Sequence, residues 1–445
     1  MLKLSLKSLI NRGFVALLTV LGIALSVALI LGVERLRTEA RAGFANSASG
    51  IDLIVAARGN DVQILMATVF GVGSTGTGIS PESYQMISDL PQVSWTVPLL
   101  MGDNHRGYPV IGTSAAYFDR FRHSGGQPLA FRSGGVFRSE DGAVVGAGVA
   151  DAFGYVPGSV IVNAHGSGQV AFEIHDEAPF TISGVLERTG TATDRMVFVS
   201  LKGFDTLHQN TARQPADPFA TPPQAPVTQQ NPDPDAAPDG HAGEHIGGDD
   251  DTAGDADRGH LPGTINAIYV GLTDKIAVLS VQRIVAGYRG DALSAVMPYV
   301  ALLQLWSLTG TAETALRLMA AAVAVAGVTG MVVMLSAALE VRRREFAILR
   351  SAGATPVDIL TLILIEAAFL MIAGIVLGYM ALLVITGFAD PVLAESFGLR
   401  IGLTWPTFRE ALLILAVFCS GLLAAVVPAI RVYRMTLADG LSMRL

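Results

Sequence analysis

Histidines with a glutamate between them are the first residues in this chain whose types and spacing could do chemistry. His241, Glu244 and His245 stand in the order H-x-x-E-H, which on a helix sets two imidazoles one turn apart to hold zinc, with the glutamate as base. A stable helix is the condition, and glycines and prolines crowd this segment. The peptidase reading is set aside on that ground. Two others stay open: weak capture of zinc or a similar divalent ion by His241, Glu244, His245 and His260 beside Asp249, Asp250 and Asp251, or a plain solvated linker. The glycine-rich run "GVGSTGTG" lacks the lysine with which a G-x-x-x-x-G-K-[ST] loop reaches nucleotide phosphates. No cofactor is therefore expected in this chain beyond that zinc, and ATP and magnesium chemistry would belong to a partner. His105, His123, His165 and His175 read as surface residues and receive no role.

These side chains need elements to position them, and composition says what kind. A mean hydropathy of +0.48 and 51% hydrophobic residues are too apolar for an ordinary soluble protein of 445 residues. Four stretches reach the roughly 20 apolar residues that cross a hydrocarbon core: Phe14 to Val33, Ala315 to Leu339, Leu360 to Phe388 and Ala411 to Ile430. Basic residues flank them in a pattern. Lys3, Lys7 and Arg12 precede the first span, Arg342, Arg343, Arg344 and Arg350 separate the second from the third, and Arg431, Arg434 and Arg444 follow the fourth. Basic flanks are retained in the cytoplasm, which predicts both termini inside. Arg35, Arg37 and Arg41 oppose this after span 1, and a helix continuing outward as a stalk would account for them.

The first span is too long for a cleaved signal peptide, and no small-x-small site follows it. Residues 1–12 place Leu2, Leu6, Leu9 and Ile10 on one helical face, which suits either a helix lying among the inner lipid headgroups or a simple extension of span 1. Glu366 lies about eight residues into span 3, where a carboxylate is costly unless paired or wet. A hydrogen bond to a neighbouring helix and a role in handling protons or substrate are the two readings. Gly374 with Gly378, and Gly22 with Ser26, form small-x-x-x-small pairs that let helices approach closely, either within one chain or between two copies.

The topology leaves a large outer region, residues 42–314, and a short outer loop, residues 389–410. Ser80 with Pro81 predicts a capped helix through Tyr84, Ile87 and Leu90, followed by the strand "VSWTV". "QVAFEIH", "RMVFVSL" and "NAIYVGL" read as strands, and "DKIAVLSVQRIVAGY" as an amphipathic helix returning to the membrane. An α+β outer domain is expected. Residues 205–260 carry eight prolines and eleven acids with few large apolar side chains, so they cannot bury enough surface to order themselves. A disordered insertion is expected there. Its acids carry the chain's negative balance: the rest sums to about +1 against a total of −8.

Between spans 2 and 3 the chain reads "RRREFAILRSAGATPVDIL", with Phe346 and Leu349 on one helical face among arginines. Gly353 is the predicted helix stop and Pro356 the next start. This loop resembles that of FtsX-like and MacB-like ABC transporter permeases. "LLTVLGIALSVALI" is similar to the family's first span, "LIEAAFLMIAGIVLGYMALLV" to its third, and "FTISGVLERTGTATDRMVFVSL" to its outer core domain, while the closing residues match only loosely and 205–260 have no counterpart. The resemblance implies a permease subunit of the inner membrane with a periplasmic domain, working as two copies with two separate ATPase subunits. It implies a coupling element at Arg344, Glu345, Phe346, Leu349, Arg350, Gly353 and Ala354. Three functions follow: extraction or export of a substrate on the outer side, control of an outer partner protein such as a cell-wall hydrolase, or metal-associated transport. The partners expected are an ABC ATPase, a second copy, lipids and a periplasmic or outer-membrane protein; no nucleic acid is expected.

Overall fold

A computed structural model describes residues 13–165, 173–174, 179–211, 261–341, 348, 351, 353–397, 402 and 405–433. Ten α-helices appear among them: α1 Gly13–Ser47, α2 Asp61–Phe70, α3 Pro81–Ser88, α4 Ala116–Arg120, α5 Ala147–Phe153, α6 Leu201–Thr211, α7 Val278–Gly287, α8 Pro298–Val341, α9 Pro356–Phe397 and α10 Phe408–Tyr433. Four of these, α1, α8, α9 and α10, are long and apolar enough to cross a membrane. They carry the four predicted spans. Each of the first three runs well past its span: 35 residues of α1 extend about 52 Å at 1.5 Å per residue, against a hydrocarbon core of about 30 Å. The surplus of α1 is the predicted stalk.

Between α1 and α8 lies an α+β domain built on a twelve-stranded mixed sheet. Its strands are β1 Leu53–Ala57, β2 Val93–His105, β3 Tyr108–Thr113, β6 Phe131–Gly134, β7 Gly142–Val145, β8 Val160–Ile161, β9 Ala164–His165, β10 Glu173–Ile174, β11 Phe180–Leu186, β12 Val197–Ser200, β13 Ala267–Leu272 and β14 Leu293–Val296. A separate small hairpin joins β4 Arg122–His123 to β5 Gln127–Pro128. The main order is β14-β1-β13-β2-β3-β12-β7-β11-β6; β9 sits beside β2 and carries β10, and β8 pairs with β11. The β3–β12 and β7–β11 pairs are parallel and the rest antiparallel. Branched residues fill the central strands: Leu53, Ile54 and Val55, Val197, Phe198 and Val199, and Ile268 are at most 0% exposed.

Local chemistry sets the outer elements. Ser80 caps α3 by accepting from the Ser83 amide, with Pro81 at the first helical position, and β2 then begins at Val93 as read from sequence. Asp291 reaches across to accept from the Ser80 amide at 2.8 Å, the Ser80 hydroxyl at 2.6 Å and the Ser83 hydroxyl. Those donors hold the Asp291 carboxyl below its ordinary value. Its contribution to stability is therefore complete above the unfolded carboxylate value of about 3.9 and disappears as pH falls through the lower folded value. Asp291→Asn should melt below the parent protein at neutral pH, with the two curves converging in acid; a gap that persists unchanged in acid would show that the carboxylate charge is not the cause.

Several expectations change. The helix read as the return to the membrane, α7, instead packs Val281 and Val285 into the sheet's core, and α8 makes the return after β14. Residues 205–211 continue α6, so the predicted insertion begins in a helix; residues 212–260 lie outside the described residues. The predicted outer loop at 389–410 is helical at both ends, since α9 runs to Phe397 and α10 begins at Phe408. His105 and His123 are buried, 2% and 7% exposed. Tyr155 and Phe153 cover His105, and burial lowers the pKa of its imidazole. Of "QVAFEIH", only β10 is described.

Candidate functional site

Of the predicted coupling element, Arg344, Glu345, Phe346, Leu349 and Arg350 lie outside the described residues. Gly353 and Ala354 close the segment: Gly353 takes φ +99°, a left-handed turn that suits glycine, and is exposed. Thr355 then caps α9. Its hydroxyl accepts from the Asp358 amide at 3.2 Å while the Asp358 carboxylate accepts from the Thr355 amide at 2.8 Å, a reciprocal box that fixes where the third span starts.

From that elbow the spans are packed around α1. Gly374 and Gly378 of α9 lie against it so tightly that a Cβ on Gly378 would sit 2.5 Å from the Ala24 carbonyl oxygen, and one on Gly374 2.6 Å from Ile23. Ser26 of α1 donates to the Val323 carbonyl of α8 at 3.0 Å as well as to its own Gly22 carbonyl at 2.8 Å. Gly22 itself has open space, and the close approach belongs to Gly327, whose Cβ would meet Ser26 Oγ at 2.8 Å. Glu366 is 6% exposed within α9, in the same bundle. Gly378→Val should therefore cost about 1–3 kcal/mol by forcing α9 off α1, read as lowered unfolding temperature in detergent. Gly387→Val on the same helix, where no atom lies within 4 Å, is the control that should leave it unchanged.

The outer ends of the spans are held by charges, the most buried of them paired across hundreds of positions. Arg35 near the outer part of α1 donates from Nε to Glu410 Oε1 at 3.0 Å and from Nη2 to Oε2 at 3.3 Å, with both side chains 3% exposed. Glu410 also caps α10: its carboxylate accepts from the Thr407 amide at 2.8 Å, and its own amide donates to Thr407 Oγ1 at 3.3 Å. A negative group in the first turn is favoured by the helix dipole, so one carboxylate serves cap and ion pair together. Further out, Arg41 grips Glu313 of α8 at 2.9 Å, and Arg37 is bound to Glu34 at 2.6 Å. Arg41 also lies 5.2 Å from the Trp306 ring centroid. Trp405 and Phe408 beside Glu410 are 91% and 86% exposed, as aromatic residues at a membrane interface are.

Both stalks are anchored in the outer domain, α1 through a five-residue turn at 48–52 and α8 directly. Ala48 and Ile51, just past α1, and Ala301 and Leu302 in the first turn of α8 belong to the same hydrophobic core. Phe44 packs between Phe70, tilted against it at 4.6 Å, and Trp306, edge-on at 5.4 Å. The Ser47 hydroxyl accepts from the Ala192 amide at 3.2 Å. Only Met297 separates β14 from α8.

The predicted metal residues His241, Glu244, His245 and His260 lie outside the described residues. Among the described residues, no group of three or more His, Cys, Asp or Glu side chains is gathered as a metal cage. The Arg35–Glu410 pair was missed because its members are 375 positions apart; the T-x-x-E spacing of Thr407 and Glu410 was its legible signal.

Comparison with known proteins gives two family matches in this order along the chain: a MacB-like periplasmic core domain over residues 16–227 and the FtsX-like permease C-terminal region over residues 317–437. The first ends inside the acidic segment, at residue 227. Among solved structures, the periplasmic region of MacB from Actinobacillus actinomycetemcomitans is similar at 11% identity and a TM-score of 0.32, covering 59% of this chain and 97% of that one. The extracellular domain of the noncanonic ABC-type transporter YknZ from Gram-positive bacteria is similar at 11% identity and a TM-score of 0.29, covering 55% and 98%. No curated protein matches the chain. The two family matches span α1 with most of the outer domain and then all the later spans, and on them the chain belongs to the FtsX-like and MacB-like family of ABC transporter permeases.

Proposed function

We propose that this permease converts ATP-driven movement beneath the membrane into movement of its outer domain, without conducting its substrate through its own spans. A separate ATPase docks under the segment around Phe346 and Leu349, two copies of each subunit form the working unit, and both termini lie on the ATPase side. The packing of the residues just past α1 and of the first residues of α8 into one core is the observation that carries this reading. A rigid rod transmits displacement; a flexible linker would dissipate it. The four spans are closely packed and apolar, which favours action on a substrate already at the outer face over a polar conduit. The acidic groups and histidines of residues 212–260 would serve, if they bind zinc, as an accessory to this cycle.

Spin labels test the scheme. With the single cysteine removed as Cys419→Ser and a label at exposed Glu82→Cys, the distance between the outer domains of two copies should change when ATP binds to the assembled complex in lipid. A distribution identical with and without nucleotide, in a complex shown to hydrolyse ATP, would sink it.

A further inference from the structure

We infer that a groove between α9 and α10 holds one acyl chain of a phospholipid from the leaflet beneath the outer domain, with the lipid's phosphate beside Arg409. The groove has a volume of about 360 Å³, and its walls, Ile372 and Val376 of α9 with Ala411, Ile414, Leu415 and Phe418 of α10, are apolar throughout. The helices are fastened on either side of it. Towards the inner side Gly421 lies so close to α9 that a Cβ there would overlap the Met371 sulfur. Towards the outer side both helices are bound to α1, α9 by Gly378 against Ala24 and α10 by Glu410 to Arg35. Contacts at both ends leave a standing gap between them.

Its depth places it among lipid tails. Ala411 follows the Glu410 tie directly, and the rise from Ala411 to Phe418 is about 10 Å along the helix. The groove therefore occupies the outer half of a hydrocarbon core about 30 Å thick. Its size then decides the occupant. A helix with its side chains is about 10–12 Å across, too broad to enter between two helices that touch at Gly421 and Met371, so a span of a second copy can cover the groove but not fill it. An acyl chain is thin, flexible and wholly apolar. Atoms lining an unfilled gap lose their packing partners, and within a bilayer such packing is what holds one apolar group against another.

Charge at the groove's outer end fits the same ligand. Arg409 is exposed in the first turn of α10, about 3 Å further out along the helix than Ala411. Its neighbour Glu410 is taken by Arg35, so the Arg409 guanidinium faces the headgroups, and guanidinium groups pair with phosphate through two parallel hydrogen bonds. Trp405 and Phe408, 91% and 86% exposed, mark that level as the interface. The site does not rest on the coupling scheme.

The probe is a phosphatidylcholine with a photoactivatable diazirine in its acyl chain, doped into phosphatidylethanolamine and phosphatidylglycerol nanodiscs that carry the full-length chain. After irradiation, mass spectrometry of the peptides should find labelling concentrated at residues 372–376 and 411–418. Val376→Phe and Ala411→Phe fill the groove from opposite walls, and each should reduce that labelling about tenfold. Leu423→Phe, at an exposed position further along α10, should leave it unchanged. A diacylglycerol with the same photoactivatable chain but no phosphate should label the groove about threefold less, as should the phospholipid with Arg409→Gln. Labelling spread evenly over the exposed residues of α1, α8 and α10 would show ordinary boundary lipid and overturn the assignment, as would cross-linking of the groove residues to a second copy. Equal labelling by the diacylglycerol would overturn the phosphate contact.

Discussion

Arg35→Leu should destabilise this permease by about 3–5 kcal/mol, the cost of leaving one charge of a buried pair without its partner. Glu410 would be the stranded group, 2% exposed at the head of α10, keeping only its cap to Thr407. The double variant Arg35→Met with Glu410→Met should recover most of that loss, because two apolar side chains of similar volume remove the desolvation demand along with the attraction. Unfolding of the purified chain in detergent measures both. Should Arg35→Leu unfold within about 1 kcal/mol of the parent, the pair would be no more than a surface contact. The double variant has a second use. It would be stable yet lack the charged tie between α1 and α10, so ATP hydrolysis without movement of the outer domain would place transmission in that tie.

The second large effect is expected at the elbow. Phe346→Asp with Leu349→Asp should abolish co-purification of the ATPase while leaving insertion of the four spans intact. Each carboxylate forced against an apolar groove costs at least about 2 kcal/mol, so the pair should weaken docking by roughly three orders of magnitude. These side chains lie outside the described residues, and the expectation rests on their spacing in "RRREFAILR". Undiminished recovery of the ATPase with this variant would remove the coupling role from these residues.

How much was legible in the sequence divides by the range of the interactions. The four spans, the Ser80 cap, the start of α9 at Pro356 and the strands at 197–200 and 267–272 follow from local composition and periodicity, which the backbone must satisfy wherever the segment ends up. Helix ends were less legible. Residues 389–397 extend α9 although an outer loop was expected, and α7 resembles a returning helix because its Val281 and Val285 stripe is the same whether it meets a sheet or another helix. Three consecutive polar residues, Asp103, Asn104 and His105, look like a hairpin rim by themselves. Their burial comes from β9, Tyr155 and Phe153, some 50 to 60 positions away, and no local pattern announces it. The same holds for Arg35 and Glu410.

The position of β13 has a consequence for biogenesis. This strand lies between β1 and β2, pairing Val55 with Ile268 and Val97 with Tyr269, although some 160 residues or more of chain separate it from either. A nascent polypeptide that has emerged only as far as residue 260 would expose two unsatisfied strand margins, which invite misassociation. Completion of the sheet must wait until the segment leading directly into α8 has been translocated, so maturation of the outer domain and insertion of the second span are bound into one late, slow event.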